Sequence, residues 1–340
     1  MELVLILDKI ILCVVLFVLA LAVAAYSTLA ERKIAAWIQD RHGPERAGPF
    51  GILQPLADGG KMFFKEEITP KNADKALFIF APALFMFTAL ITYAVVPWGR
   101  DLIINGRNFS LQVADLNIGI LYSFGIASIG VYGVLIGGWA SNNKFSLLGA
   151  IRASSQMISY ELALGMSIIP IVMMTGSLSL RDIVEAQQGT WNIFLQPVAF
   201  VIFFTCALAE CNRAPFDLAE TESELMGGYL LEYSSMKMAL FLFAEYVHVF
   251  ASSALISVLF FGGYNFPFMN SLDLSPNIIS IISICAFLAK TFFFIFVFMW
   301  IRWTLPRFKY DQLMRLGWKI FIPLAIINIL ATGVIMTLVK

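Results

Sequence analysis

Apolar residues run along this chain in blocks of about 20, separated by more polar connections of varied length. About 20 apolar residues is what a helix needs to cross a bilayer. Eight blocks meet that length: residues 3–30, 77–97, 117–138, 156–176, 192–209, 238–262, 278–300 and 318–339. They predict an all-α integral membrane protein with eight transmembrane helices, built as a single polytopic membrane domain over residues 1–340. At about 1.5 Å per residue the first block exceeds a hydrocarbon core of about 30 Å, so it should tilt or protrude. Trp98, Trp139, Trp191, Trp300 and Trp318 stand near block ends, as an interfacial aromatic belt requires. One connection has a pattern of its own. From Gln54 to Lys65 the polar residues Gln54, Asp58, Lys61 and Lys65 recur at helical spacing, with Leu53, Leu56, Phe63 and Phe64 toward another face. That predicts an amphipathic interfacial helix, although Gly59 and Gly60 weaken it.

Charge orients the bundle. The odd-numbered connections and their flanks carry Arg32, Lys33, Arg41, Arg46, Lys61, Lys65, Lys71, Lys75, Lys144, Arg152, Arg213, Lys237, Arg302, Arg307, Lys309, Arg315 and Lys319. The other side has Lys9, Arg100, Arg107, Arg181 and Lys340. Basic residues stay cytoplasmic, so both termini are expected outside.

Composition narrows the chemistry. The chain is 59% hydrophobic and 14% charged, with zero formal net charge and a mean hydropathy of +0.81. Nothing in that balance favours nucleic acid. The four cysteines, Cys13, Cys206, Cys211 and Cys285, form no C-x-x-C pair, and the two histidines, His42 and His248, are far apart. No metal site, cysteine-ligated cluster, nucleotide loop or catalytic residue for electron transfer is expected in this chain.

The chemistry concentrates in Glu210–Glu232, which carries Glu210, Asp217, Glu220, Glu222, Glu224 and Glu232 against one base, Arg213. Most charge runs are solvated loops. Here Phe216, Leu218, Leu225 and Met226 interleave with the acids, and apolar blocks flank them. Acids at membrane depth are expensive and usually mark ion or proton pathways. Glu161, Glu245 and Lys290 lie inside apolar blocks, which favours a polar interior over a single packing salt bridge. Lys290 is the possible intramembrane ion-pair partner of a glutamate. Arg302 and Arg307 stand where they could neutralise part of the acidic stretch. His248, one turn after Glu245, reads as structural.

Five segments carry a resemblance: 31–67 (ERKIAAWIQDRHGPERAGPFGILQPLADGGKMFFKEE), 139–161 (WASNNKFSLLGAIRASSQMISYE), 209–234 (AECNRAPFDLAETESELMGGYLLEYS), 244–246 (AEY) and 302–319 (RWTLPRFKYDQLMRLGWK). Together, over nearly the whole chain, they resemble the H-type membrane subunits of bacterial NADH:quinone oxidoreductase (respiratory complex I), a family equivalent to the mitochondrially encoded subunit 1. The resemblance implies a multi-pass protein of the bacterial inner membrane that joins the hydrophilic and membrane arms. It implies ubiquinone or menaquinone as substrate, with no cofactor bound covalently and with FMN and Fe–S clusters in partner subunits. Those partners would be the hydrophilic quinone-site subunits next to the terminal cluster, and the small and antiporter-like membrane subunits. By the same resemblance, Glu31, Arg32, Arg41, Asp58, Arg302 and Arg307 are quinone-tunnel residues. Glu161, Glu210, Asp217, Glu220, Glu222, Glu224, Glu232 and Glu245 are proton-coupling residues. Glu45, Cys211 and His248 look local to this chain. The competing readings are a stand-alone ion-coupled transporter, which commonly shows internal repeats not evident here, and the equivalent subunit of a related membrane-bound hydrogenase or dehydrogenase.

Overall fold

The computed structural model describes residues 2–104, 107–217, 227–267, 269 and 275–339. In chain order the helices are α1 (Glu2–Ile38), α2 (Gln54–Phe64), α3 (Lys75–Ile91), α4 (Gly119–Ala140), α5 (Lys144–Thr175), α6 (Leu180–Ala186), α7 (Asn192–Leu195), α8 (Pro197–Glu210), α9 (Ser235–Phe260), α10 (Pro276–Thr304), α11 (Tyr310–Arg315) and α12 (Ile322–Val339). Among the described residues seven helical stretches are long and apolar enough to cross a membrane: Ile6–Ile38, Lys75–Val95, Gly119–Ala140, Lys144–Thr175, Ser235–Phe260, Pro276–Thr304 and Tyr310–Leu338.

The block at 192–209 behaves differently from the single span expected. It breaks at Gln196, leaving α7 and a 14-residue α8. The cause is Pro197: a proline disfavours helical backbone at the residue before it, and Gln196 sits at φ −133°, ψ 60°. The backbone at the break stays paired, the Gln196 amide donating to Asn192 O at 2.7 Å and the Phe200 amide to Gln196 O at 3.1 Å, while the Gln196 side chain is held from α12. Gln196 Nε2 donates to Thr332 Oγ1 at 2.9 Å, and Asn328 Nδ2 donates to Gln196 Oε1 at 3.0 Å.

Helix α5 starts well before its apolar block. Asn143 caps it, its side chain accepting from the Phe145 amide at 3.0 Å. Arg152 therefore lies in the helix, its guanidinium 5.7 Å from the Tyr310 ring centre. A short hairpin, β1 (Leu102–Ile104) with antiparallel β2 (Arg107–Phe109), is not expected from the pattern. Residues Leu316–Phe321 are wound as a π-helix leading into α12.

Small residues bring the helices together. A Cβ on Gly133 of α4 would lie 2.9 Å from Phe85 Cβ of α3, so only glycine allows that approach. Likewise a Cβ on Gly149 of α5 would meet Gly228 Cα at 2.6 Å, which pins the segment before α9 onto α5. Large rings fill the remaining core: Phe78 stacks on Tyr233 with centroids 4.1 Å apart, and Tyr160, Phe203 and Phe241 are fully enclosed.

The connections gather into two faces. On one, here called the basic face, the Asp74 amide donates to Ala140 O, Asn143 to Glu232, and the Phe308 amide to Pro215 O. On the opposite face the Ile120 amide donates to Leu178 O, the Ile103 amide to Asn277, and Asn192 to Leu259 O. Helix α8 starts beside the opposite face and ends at the basic face, where Arg213 reaches Glu31.

Candidate functional site

A cavity of about 510 Å³ opens between α1, α2 and α9 and is closed at one end by residues of α10. Sequence spacing builds its walls. On α1, Leu21, Ala25, Thr28 and then Glu31 and Arg32 line it. Steps of three and four place them on one helix face. The wall thus changes from apolar to charged along α1. Pro55, Asp58, Gly59 and Met62 line it from α2 at the same spacing, as do Ala239, Leu242, Phe243 and Tyr246 from α9. Helix α2 forms where the amphipathic pattern predicts it. Its Asp58 faces the cavity, while Leu56, Phe63 and Phe64 are left exposed.

At the charged end Glu31 is the hub. It is buried, accepts from Tyr246 Oη at 2.7 Å, and pairs with Arg213 at 3.3 Å and with Arg302. Arg213 lies just beyond α8, with its guanidinium 4.0 Å from the Tyr246 ring centre and 3.6 Å from Glu245 Oε2. Glu245 also accepts from Tyr229 Oη at 3.1 Å. Burial works against the Arg213 charge, but Tyr246, Glu245 and Glu31 outweigh it and hold the guanidinium protonated above the usual arginine range. Among the described residues, Arg213 Nε and Nη2 have no hydrogen-bond partner. The 3.6 Å approach to Glu245 is an ion pair rather than a hydrogen bond. Such donors on a cavity wall can receive a polar group of a guest. Closer to α2, Arg32 pairs with Asp58 at 2.7 Å.

The expected site residues divide into groups. Glu31, Arg32, Asp58, Arg302 and Glu245 converge on the cavity. Arg307 and Asp217 pair at 3.4 Å just outside it, so Arg307 does neutralise part of the acidic stretch, whereas Arg302 neutralises Glu31 instead. Arg41 is not brought in: it is exposed, donating to Gln39 at 2.7 Å. Glu161 accepts from Ser128 and lies within electrostatic reach of Glu210. Glu232 accepts from Asn143 at 2.7 Å. Glu220, Glu222 and Glu224 lie outside the described residues. Lys290, expected to pair with a glutamate, donates instead to the carbonyls of Phe261 (2.7 Å), Gly263 (2.9 Å) and Asn265 (2.5 Å) at the opposite face. The turn that ends α9 presents these carbonyls, and an ammonium can cap all three.

Sequence reasoning missed Tyr229 and Tyr246 as site residues and treated Arg213 only as the lone base of an acidic run. The available signal was the AEY tripeptide, in which Tyr246 adjoins a buried acid. No cluster of three or more metal-ligating side chains occurs among the described residues.

A family model described as NADH dehydrogenase matches residues 10–333. The chain is similar to the NADH-quinone oxidoreductase H subunit (copy 1) of Cytophaga hutchinsonii, with 61% identity over 96% of both chains. It is 56% identical to the NADH-quinone oxidoreductase H subunit of Flavobacterium johnsoniae, over 98% of this chain and 97% of that one. With the NADH-quinone oxidoreductase H subunit (copy 1) of Geobacter metallireducens it shares 51% identity over 95% of this chain and 94% of the relative.

Proposed function

The chain belongs to the NADH dehydrogenase family and is a membrane subunit of an NADH-quinone oxidoreductase; from that premise we propose that it forms the quinone entrance and couples quinone reduction to proton movement. The observation that carries this reading is the cavity whose wall passes from Leu21 and Ala25 to Glu31, Arg213 and Arg302. A quinone has the same polarity, with an isoprenoid tail and an oxygen-bearing head. The apolar stretch would take the tail. The unsatisfied Arg213 donors would meet the head on its way toward the electron-transfer subunits. This chain would carry no electrons; FMN and Fe–S clusters would belong to the hydrophilic partners.

Coupling would run through charge. Reduction of the quinone head beyond the charged end of the cavity would change the field at the Glu31–Arg213–Glu245 network, and the response would pass by way of Tyr229 and Glu245 toward Glu210, Glu161 and the rest of the acidic stretch. Buried carboxylates respond strongly to such a change because the low-dielectric interior screens it little. Helix α8 would count as the eighth crossing, with both termini outside and the basic face on the cytoplasmic side of the inner membrane. Membership in this family favours a subunit of a larger complex over a stand-alone transporter.

Filling the cavity tests the entrance. Ala239→Trp in the intact complex should slow reduction of long-tailed quinone by about tenfold or more, since a ring placed there excludes the tail. Electron transfer from NADH to ferricyanide should continue. Equal loss of both activities would locate the defect in the electron-transfer arm; loss of neither would remove the cavity from the quinone path. Orientation is checked separately by single cysteines at the exposed positions Asn72 and Asn108 in a background without reactive thiols. An impermeant reagent added outside should label only position 108.

A further inference from the structure

A second, much smaller void lies between α8 and α9, away from the quinone cavity. It is a cavity of about 20 Å³ lined by Glu210, His248, Thr92, Ser123 and Ser252, with apolar walls around them. About 10–15 Å³ is enough for one water, provided two to four polar partners surround it. Both conditions are met. The hydroxyls have few hydrogens to offer: Thr92 donates to Thr88 O at 3.1 Å and Ser123 to Ile120 O at 2.8 Å. They present lone pairs to the void. His248 is buried, its ring is 4.9 Å from that of Phe85, and its Nε2 has no hydrogen-bond partner among the described residues. A buried ring nitrogen left unpaired is unfavourable in either tautomer, and a water, which can both donate and accept, would satisfy it together with Glu210.

We infer that this void is a built site for a single water, held by His248 against the carboxylate of Glu210, and that His248 is a positioning residue for proton exchange at Glu210. The site gives the histidine a place in the coupling path. His248 stands one turn from Glu245 on α9, and Glu210 stands within reach of Glu161. The water therefore bridges from the helix that carries the Glu245 network to the next pair of carboxylates. The role of the site, though not its existence, rests on the coupling reading above.

The test uses the intact complex. Electron cryomicroscopy at a resolution that shows ordered water should reveal density within hydrogen-bond distance of both Glu210 and His248 Nε2. His248→Phe keeps a ring against Phe85 but removes the nitrogen. It should empty the site and slow quinone-coupled turnover and pumping about tenfold, less than the roughly hundredfold loss of a direct proton donor. NADH-to-ferricyanide transfer should be unaffected. His248→Gln, which restores a polar tip, should recover most of the rate and the wild-type solvent deuterium isotope effect. A dry void overturns the inference. So does a His248→Phe complex that pumps at the wild-type rate while Glu210→Gln does not. If Glu210→Gln itself pumps normally, the coupling reading fails, and bridging density would still establish the water site.

Discussion

Charged residues at the two faces of this bundle are used in different ways. At the basic face Glu31, Arg213, Glu245 and Arg302 meet side chain to side chain around a cavity, with two Arg213 nitrogens left without hydrogen bonds among the described residues. At the opposite face Lys290 is saturated by three backbone carbonyls, Lys9 donates to Gln112 O, and Arg181 is held by Asp101 at 3.0 Å and Glu185 at 3.2 Å. Those contacts fasten the ends of α1, α6 and α9, and none of these three basic residues lines the cavity between α1, α2 and α9. A charge inside an apolar sequence block is therefore not by itself a sign of function. What separates the two faces is incomplete satisfaction next to open volume.

That contrast breaks most clearly at Arg213. Arg213→Met leaves Glu31 and Glu245 buried with less compensation, and removing one partner of a buried pair costs about 3–5 kcal/mol. The complex should assemble poorly or melt well below the wild type, and quinone reduction should be lost in whatever survives. Adding Glu31→Gln should recover part of the stability without restoring turnover. Normal melting of the single variant would mean that water already screens the cluster.

How much of this was legible beforehand depends on the kind of signal. Helix α2, the long spans and the convergence of Glu31, Arg32, Asp58 and Arg302 follow from periodicity and from the motif resemblance. The break at Gln196 was written in Pro197, but an apolar run on both sides hid it. The role of Lys290 was not readable, because its partners are carbonyls, which every residue carries and no pattern marks. The Arg213 pairings needed three dimensions: its partners lie 182 positions away at Glu31 and well inside α9 at Glu245.

The opposite face predicts a defect of another kind. Lys290→Met leaves the carbonyls of Phe261, Gly263 and Asn265 without their donor, a loss of about 1–3 kcal/mol. The assembled complex should melt earlier, yet turnover per assembled enzyme should stay at the wild-type value. A fall in turnover at unchanged stability would give this lysine a part in proton movement and dissolve the contrast between the faces.

The smallest effect belongs to Arg181. Burial lowers its proton affinity, but hydrogen bonds to Asp101 and Glu185 more than offset this and keep it charged above the usual arginine range. All three side chains remain partly exposed, so solvent screens the pair. Arg181→Gln should cost less than about 1 kcal/mol and should matter less still in high salt. Thermal melting at two salt concentrations checks both statements.

The interruption at Gln196 also governs how the last helix stays attached. Helix α12 belongs to the least enclosed stretch of the chain, with only 17% of its apolar window covered. Besides its packing on α5, two polar hooks, Asn328 and Thr332, clasp Gln196. Inside a bilayer no water competes for those bonds. In a loose detergent micelle water can reach them, and little buried surface remains to hold the stave in place. Harsh extraction should therefore peel α12 from the bundle first, while the quinone cavity, built from α1, α2 and α9, keeps its shape.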